Sequence, residues 1–168
     1  IEKTKETLII GGGIAGLTVG LELANRGLSV GILEKERFPG GHGTRFSCKA
    51  IKTCVKCGAC RVEQTLLAVV EHPNIELMTG CRISTVSRPN ATWNLAVHLQ
   101  APMVSAQKCS RCGACIGICP QPGALLQAPS AMCRPLVSVD TDRCLAFQED
   151  SCSICSDRCP ADAFDWKA

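Results

Sequence analysis

The chain opens on a short apolar run, Thr7 to Ile10, with charged residues before it and glycines after it. A continuous apolar stretch of this length predicts a strand buried in a parallel sheet. Leu17 to Asn25 carries apolar residues at helical spacing, with Leu17, Leu21 and Ala24 on one face and Gly27 as the stop. Leu28 to Leu33 predicts a second strand, ending in Glu34. Residues 6 to 34 thus form one βαβ unit. Val62 to Glu71 predicts a helix, broken by His72-Pro73-Asn74, and Ile75 to Thr79 predicts a third strand. Arg82 to Val86 and Trp93 to Leu99 read as a hairpin around Arg88-Pro89-Asn90. Residues 100 to 108 read as a linker. Leu125, Leu126, Val137 and Val139 suit a small hairpin and core in a second part.

The turn after the first strand is Gly11-Gly12-Gly13-Ile14-Ala15-Gly16. Alone, a Gly-x-Gly-x-x-Gly string is weak. Between a strand and a helix it fits a dinucleotide site. Gly11 permits the tight turn, Gly13 lets a pyrophosphate approach the backbone, and Gly16 allows close helix–strand packing. The helix N-terminus attracts phosphate, and Glu34 lies where an acidic side chain accepts from a ribose hydroxyl. Phe38-Pro39-Gly40-Gly41-His42-Gly43 is either a plain connection or a second nucleotide-binding loop, with His42 a polar loop residue rather than a ligand.

The strongest pattern is in the cysteines. Cys109-x2-Cys112-x2-Cys115-x3-Cys119-Pro120 is followed by Cys144-x7-Cys152-x2-Cys155-x3-Cys159-Pro160. Two such runs predict two [4Fe–4S] clusters, with the fourth cysteine of each run ligating the other run's cluster. Three cysteines at x2 spacing wrap three corners of a cubane, and the fourth corner needs a distant thiolate. The expected sets are Cys109, Cys112, Cys115 and Cys159, and Cys144, Cys152, Cys155 and Cys119. The proline after each last cysteine is expected to keep a following helix out of the site. Zinc ribbons instead use two CxxC pairs.

A third group, Cys54-x2-Cys57-x2-Cys60, has Gln64 where a fourth cysteine would follow. Cys48 is the favoured fourth ligand for a third cluster, and Cys81 the other candidate. A redox or zinc-binding CxxC is the competing reading. Cys133 fits no spacing and reads as a lone buried thiol.

Composition narrows this further. Fourteen cysteines in 168 residues would suggest disulfides in a secreted chain, but these are ligand spacings, which point to a reducing, cytoplasmic setting. The net charge of +3 comes without a basic block or stacking platform, so nucleic acid is not indicated. Lys3 and Lys5 before Leu8 to Leu21 mimic a signal peptide, but the run is short and glycine-rich and Glu22 interrupts it, so neither a signal peptide nor a membrane span is expected.

The order of these pieces resembles a family. The glycine-rich βαβ unit, Glu34-Lys35-Glu36, Gly40-Gly41, Cys57-x-x-Cys60, His72-Pro73-Asn74-Ile75-Glu76-Leu77 and the module opening Cys109-Ser110-Arg111-Cys112-Gly113-Ala114-Cys115 are similar to the flavin-carrying, A-type subunit of heterodisulfide reductases. The resemblance runs from about residue 7 onward and includes the long Cys144 to Cys152 spacing. It implies a ferredoxin module inserted in an FAD domain. In the family the FAD domain resumes after the module, whereas this sequence ends at Ala168, and Cys48 and Cys54 are extra thiols. Together these departures favour loss of FAD and gain of a third cluster. Short proteins of this build also resemble the small electron-transfer subunit of tungsten-dependent benzoyl-CoA reductases of strict anaerobes.

The expected fold is therefore α/β. A truncated Rossmann-like FAD/NAD-binding unit occupies residues 1–100 and an α+β bacterial-type two-[4Fe–4S] ferredoxin domain residues 101–168. The expected role is an electron-transfer subunit with three [4Fe–4S] clusters and no catalytic site of its own. It would pass electrons from donor subunits to a large tungsten- or molybdenum-type catalytic subunit, with backbone N–H groups of the Gly58-Ala59 and Gly113-Ala114 turns tuning potentials. One alternative is a flavoprotein subunit of the heterodisulfide reductase A type, with FAD on Gly11, Gly13, Gly16 and Glu34. The other is a non-enzymatic iron–sulfur sensor.

Overall fold

A computed structural model describes residues 2–45, 59–100, 102–128, 137–148 and 152–166. The chain divides into two compact units, residues 1–100 and 101–168.

In the first unit, β1 (Thr7–Ile10), β2 (Val30–Leu33) and β3 (Ile75–Met78) form a parallel sheet in the order β1-β2-β3. Thr7 stands opposite Val30, and Val30 opposite Ile75. The crossovers are α1 (Ile14–Asn25) and α2 (Ala59–Glu71), which pack on each other. Every residue of β2 is buried, which explains its unbroken apolar run. Leu17, Val30, Ile32, Leu66 and Val69 are fully buried and form the centre of the core. The expectation of a buried first strand is corrected: β1 is an edge of this sheet, none of its residues is buried, and Leu8 and Ile10 are exposed.

Close contact between α1 and the sheet depends on small residues. A Cβ on Gly20 would stand 2.7 Å from Ile32 Cδ1. Here α1 begins at Ile14, three residues before the expected start, because Gly13 accepts the first intrahelical bond from Leu17 N–H at 2.9 Å. Likewise α2 begins at Ala59 and not Val62, so Cys60 and Gln64 lie in the helix. The hairpin is present as β4 (Cys81–Ser87) and β5 (Asn94–Leu99), with an irregularity between Ile83 and Thr85. Its turn is a short 3-10 segment with Asn90 and Ala91 at positive φ, and Arg88 lies 5.1 Å over the Trp93 ring.

In the second unit, β6 (Leu125–Gln127) and β7 (Val137–Val139) pair antiparallel. Three short helices, α3 (Ala114–Ile118), α4 (Leu145–Gln148) and α5 (Ile154–Asp157), carry or adjoin the cysteines. The buried core is aliphatic, with Val104, Ala124, Leu125, Val137, Val139 and Ala163 joined by Cys144 and Cys155. Trp166 stacks on Phe164 at 5.6 Å and meets Phe147 at 5.9 Å.

Two local expectations are corrected. Residues 102–108 are more than a linker. Val104 is buried and bridges Phe164, with Ser105 N–H bonded to Ala163 O and Asp165 N–H to Met103 O, each at 2.8 Å. The helical turns come before each Cys-Pro pair, not after it. α3 ends at Ile118, and Cys119 is extended (φ −63°, ψ 122°), as a residue before proline prefers. The prolines therefore end the preceding turns and hold Cys119 and Cys159 outside them.

Candidate metal centres and nucleotide loop

The second unit gathers eight thiols around two hollows. Cys109, Cys112 and Cys115 line the first, and Cys159 joins them from the second run. Cys144, Cys152 and Cys155 line the other, and Cys119 joins from the first run. The chain crossing expected from the two Cys-Pro runs therefore has a geometric counterpart. Among the described residues no three Cys, His, Asp or Glu side chains converge as a single metal ion would need. The thiols ring a space, which suits a multi-atom cluster, and thiolate is the ligand that iron–sulfur clusters take.

Thiol protonation reflects the same neighbours. Burial pushes the Cys155 thiol up to about 11, and the charges of Cys144 and Cys119 add to the shift. Burial also raises Cys115, against a bond from the Ile116 N–H, with Cys112 and Cys159 adding. Cys112 is exposed and is lowered by the Ala114 N–H and then by the Ser110 hydroxyl. Cluster insertion must displace the protons held on the buried thiols, so metal loading is expected to release protons.

The loop from Cys109 to Cys115 reverses direction twice, with Arg111 at φ 61° and Gly113 at φ 74°. A Cβ on Gly113 would meet nothing within 4 Å, so only the backbone resists a side chain there. Gly113→Ala is expected to cost about 1–2 kcal/mol, read as a lower melting temperature of the cluster-loaded protein, with Gly113→Asn milder.

Of the N-terminal thiols, Cys60 and Cys81 are among the described residues. Cys48, Cys54 and Cys57 lie outside the described residues, as does Cys133. Cys60 is exposed in the first turn of α2. Cys81 is buried at the start of β4, where its N–H donates to Glu34 O at 2.9 Å. His42 is exposed in a 3-10 turn, Gly41–Arg45, where the sequence suggests a loop.

In the nucleotide loop each glycine has a distinct reason. Gly11 sits at φ 108°, reserved for glycine. A Cβ on Gly13 would have nothing within 4 Å, which leaves open space above it. A Cβ on Gly16 would stand 1.9 Å from Gly11 O. Gly40 N–H donates to Gly12 O at 2.7 Å and Gly40 bridges Gly13, so the Gly40-Gly41 segment packs directly on the first loop. That contact fits the two-loop reading of Phe38 to Gly43.

Glu34 does something that spacing does not reveal. It is 6% exposed, and its Oε2 accepts from Gly12 N–H at 2.7 Å while Oε1 accepts from Glu36 N–H at 2.8 Å. A Cβ on Gly12 would lie 3.0 Å from Glu34 Cβ, so the middle of the three glycines makes room for this contact. The run of three glycines is the one signal of it in the sequence. Each carboxylate oxygen keeps further acceptor capacity, which leaves room for a ribose hydroxyl. The open Gly13 face and the anchored carboxylate fit a dinucleotide.

The family model of FAD dependent oxidoreductases matches residues 6–86. The A-type subunit of the ferredoxin:CoB-CoM heterodisulfide reductase of Methanosarcina acetivorans is 28% identical over 99% of this chain and 22% of its own length. The A-type iron-sulfur subunit of the CoB--CoM heterodisulfide reductase of Methanocaldococcus jannaschii is 30% identical over 95% of this chain and 25% of its own. The chain thus spans about a quarter or less of these relatives. Among solved structures, L-proline dehydrogenase from P. horikoshii covers 57% of this chain and 20% of its own, with a TM-score of 0.43 and 21% identity. No described helix is long and apolar enough to cross a membrane. With its glycine loop in the part matched to FAD dependent oxidoreductases and its sequence matched almost end to end, the chain is a homologue of the A-type subunits of heterodisulfide reductases.

Proposed function

We propose that this chain is the electron-carrying part of a heterodisulfide reductase A-type subunit, with two [4Fe–4S] clusters in residues 101–168 and FAD on the glycine loops of residues 1–100. The carrying observation is the pair of thiol rings, each completed by the other run's Cys119 or Cys159. When bound, such clusters supply reversible one-electron transfer and FAD couples electron pairs to single electrons. The protein's own part is placement. Cys109, Cys112, Cys115 and Cys159 hold one cluster, and Cys144, Cys152, Cys155 and Cys119 the other. The Val104–Val139 core keeps water from the inner thiols. Gly11, Gly13 and Gly16 bring the α1 N-terminus to the pyrophosphate, and Glu34 stiffens the loop through Gly12 and receives the ribose.

The match of residues 6–86 to FAD dependent oxidoreductases reverses the sequence-based preference for a lost flavin and favours the flavoprotein alternative. The relatives' names likewise favour partners from a heterodisulfide reductase complex over a tungsten or molybdenum enzyme. A third cluster on Cys54, Cys57 and Cys60, with Cys48 or Cys81, remains part of the proposal.

Anaerobic purification followed by iron, acid-labile sulfide and flavin analysis tests this. Two clusters give about eight irons per chain and three give about 12. One released flavin per chain is expected, and iron below about eight would overturn the paired-cluster reading.

A further inference from the structure

The two thiol rings are built differently. In the first ring the Cys112 sulfur takes bonds from the Ala114 N–H and the Ser110 hydroxyl, and Cys115 from the Ile116 N–H. Cys159 Sγ accepts from Ala163 N–H at 3.4 Å. In the second ring Cys155 takes bonds from its own N–H and that of Ser156, as Cys115 does from its own and that of Ile116. The second ring's crossing cysteine, Cys119, instead faces a carbonyl, with Sγ 3.4 Å from Gln121 O. Arg111 lines the first hollow, whereas no charged residue among those described lines the second. Cys112 is exposed, while Cys144 and Cys155 are 7% and 6% exposed.

A four-thiolate cluster gains a negative charge when reduced. N–H and O–H donors on sulfur, a nearby cation and solvent access all favour the reduced form, while a carbonyl dipole and burial disfavour it. We propose that the Cys109–Cys112–Cys115–Cys159 site is the higher-potential cluster of the pair, and that the Ser110 hydroxyl and the Arg111 cation set that order. This rests on the reading of both rings as [4Fe–4S] sites. Each site takes one electron, so the first holds the electron when one is present and the second fills after it.

The test is an EPR-monitored reductive titration of the anaerobically purified full chain with dithionite as the one-electron donor. Two midpoints are expected. The Cys112→Ala variant, which unmakes the first ring, should lose the upper one. Ser110→Ala should lower only the upper midpoint, by about three- to tenfold in the reduction equilibrium, where tenfold is about 59 mV for one electron. Ser110→Thr, which keeps the hydroxyl, should restore it, and Arg111→Gln should shift the same midpoint downward. Loss of the lower midpoint in Cys112→Ala would overturn the proposal, as would Ser110→Ala and Arg111→Gln that move neither midpoint. A chain that holds no clusters would overturn the underlying reading as well, and iron analysis of the same sample separates that failure from a wrong order of potentials.

Discussion

Gly16→Ala is expected to destabilise the first unit by at least about 3 kcal/mol, seen as loss of its cooperative melting transition and of any flavin. The new Cβ would stand 1.9 Å from Gly11 O, a backbone atom that no side-chain rotation can move. Gly11 is itself fixed at φ 108° at the end of β1, and its N–H is bonded to Leu33 O at 2.7 Å. The clash would therefore pass into both strands. Gly13→Ala is the informative contrast. Its Cβ meets nothing within 4 Å and its φ of −73° suits any residue. Stability should change by no more than about 1 kcal/mol. The added methyl group would enter the open space where the proposed flavin's pyrophosphate would lie, so flavin affinity should fall by at least about tenfold, or 1.4 kcal/mol. Equal loss of fold in both variants would mean that the loop serves packing alone.

The second large effect concerns the crossed ligands. Cys159→Ala and Cys119→Ala should each remove about four irons per chain, but from different clusters. Double variants make the assignment. Cys112→Ala with Cys159→Ala should still lose about four irons, because both residues serve one ring, whereas Cys112→Ala with Cys119→Ala should lose about eight. Ligation within each run predicts the reverse. Each lost cluster also removes binding energy that holds a unit with a small aliphatic core, so melting should fall in the single variants and collapse where both rings are broken.

Much of the first unit is legible in the sequence because its signals are periodic. The β1 run, the α1 face and the glycine punctuation depend on local rules, and the strand bounds agree to within two residues. Helix starts are less legible, because α1 and α2 begin among glycine and cysteine residues that no apolar period marks. The Glu34–Gly12 contact spans 22 residues and follows from tertiary packing alone. The short helices of the second unit escape sequence reading for a similar reason. At four or five residues they are held by their place beside the thiol rings, not by propensity. Residues 102–108 pass for a linker because the pairing partner of Val104, Phe164, comes 60 residues later. Spacing proposes the thiol sets, and the same cysteines line the two hollows.

The crossing also orders events during synthesis. Cys159, which lines the hollow with Cys109, Cys112 and Cys115, is the last of the 14 cysteines to be translated. A ribosome adds about 5–20 residues per second, so the three earlier thiols wait several seconds for their fourth. The proposed second set is complete once Cys155 is made, four residues before Cys159 completes the first. An iron–sulfur scaffold that donates whole cubanes would therefore meet a nascent chain whose two proposed sites gain their last thiols almost together.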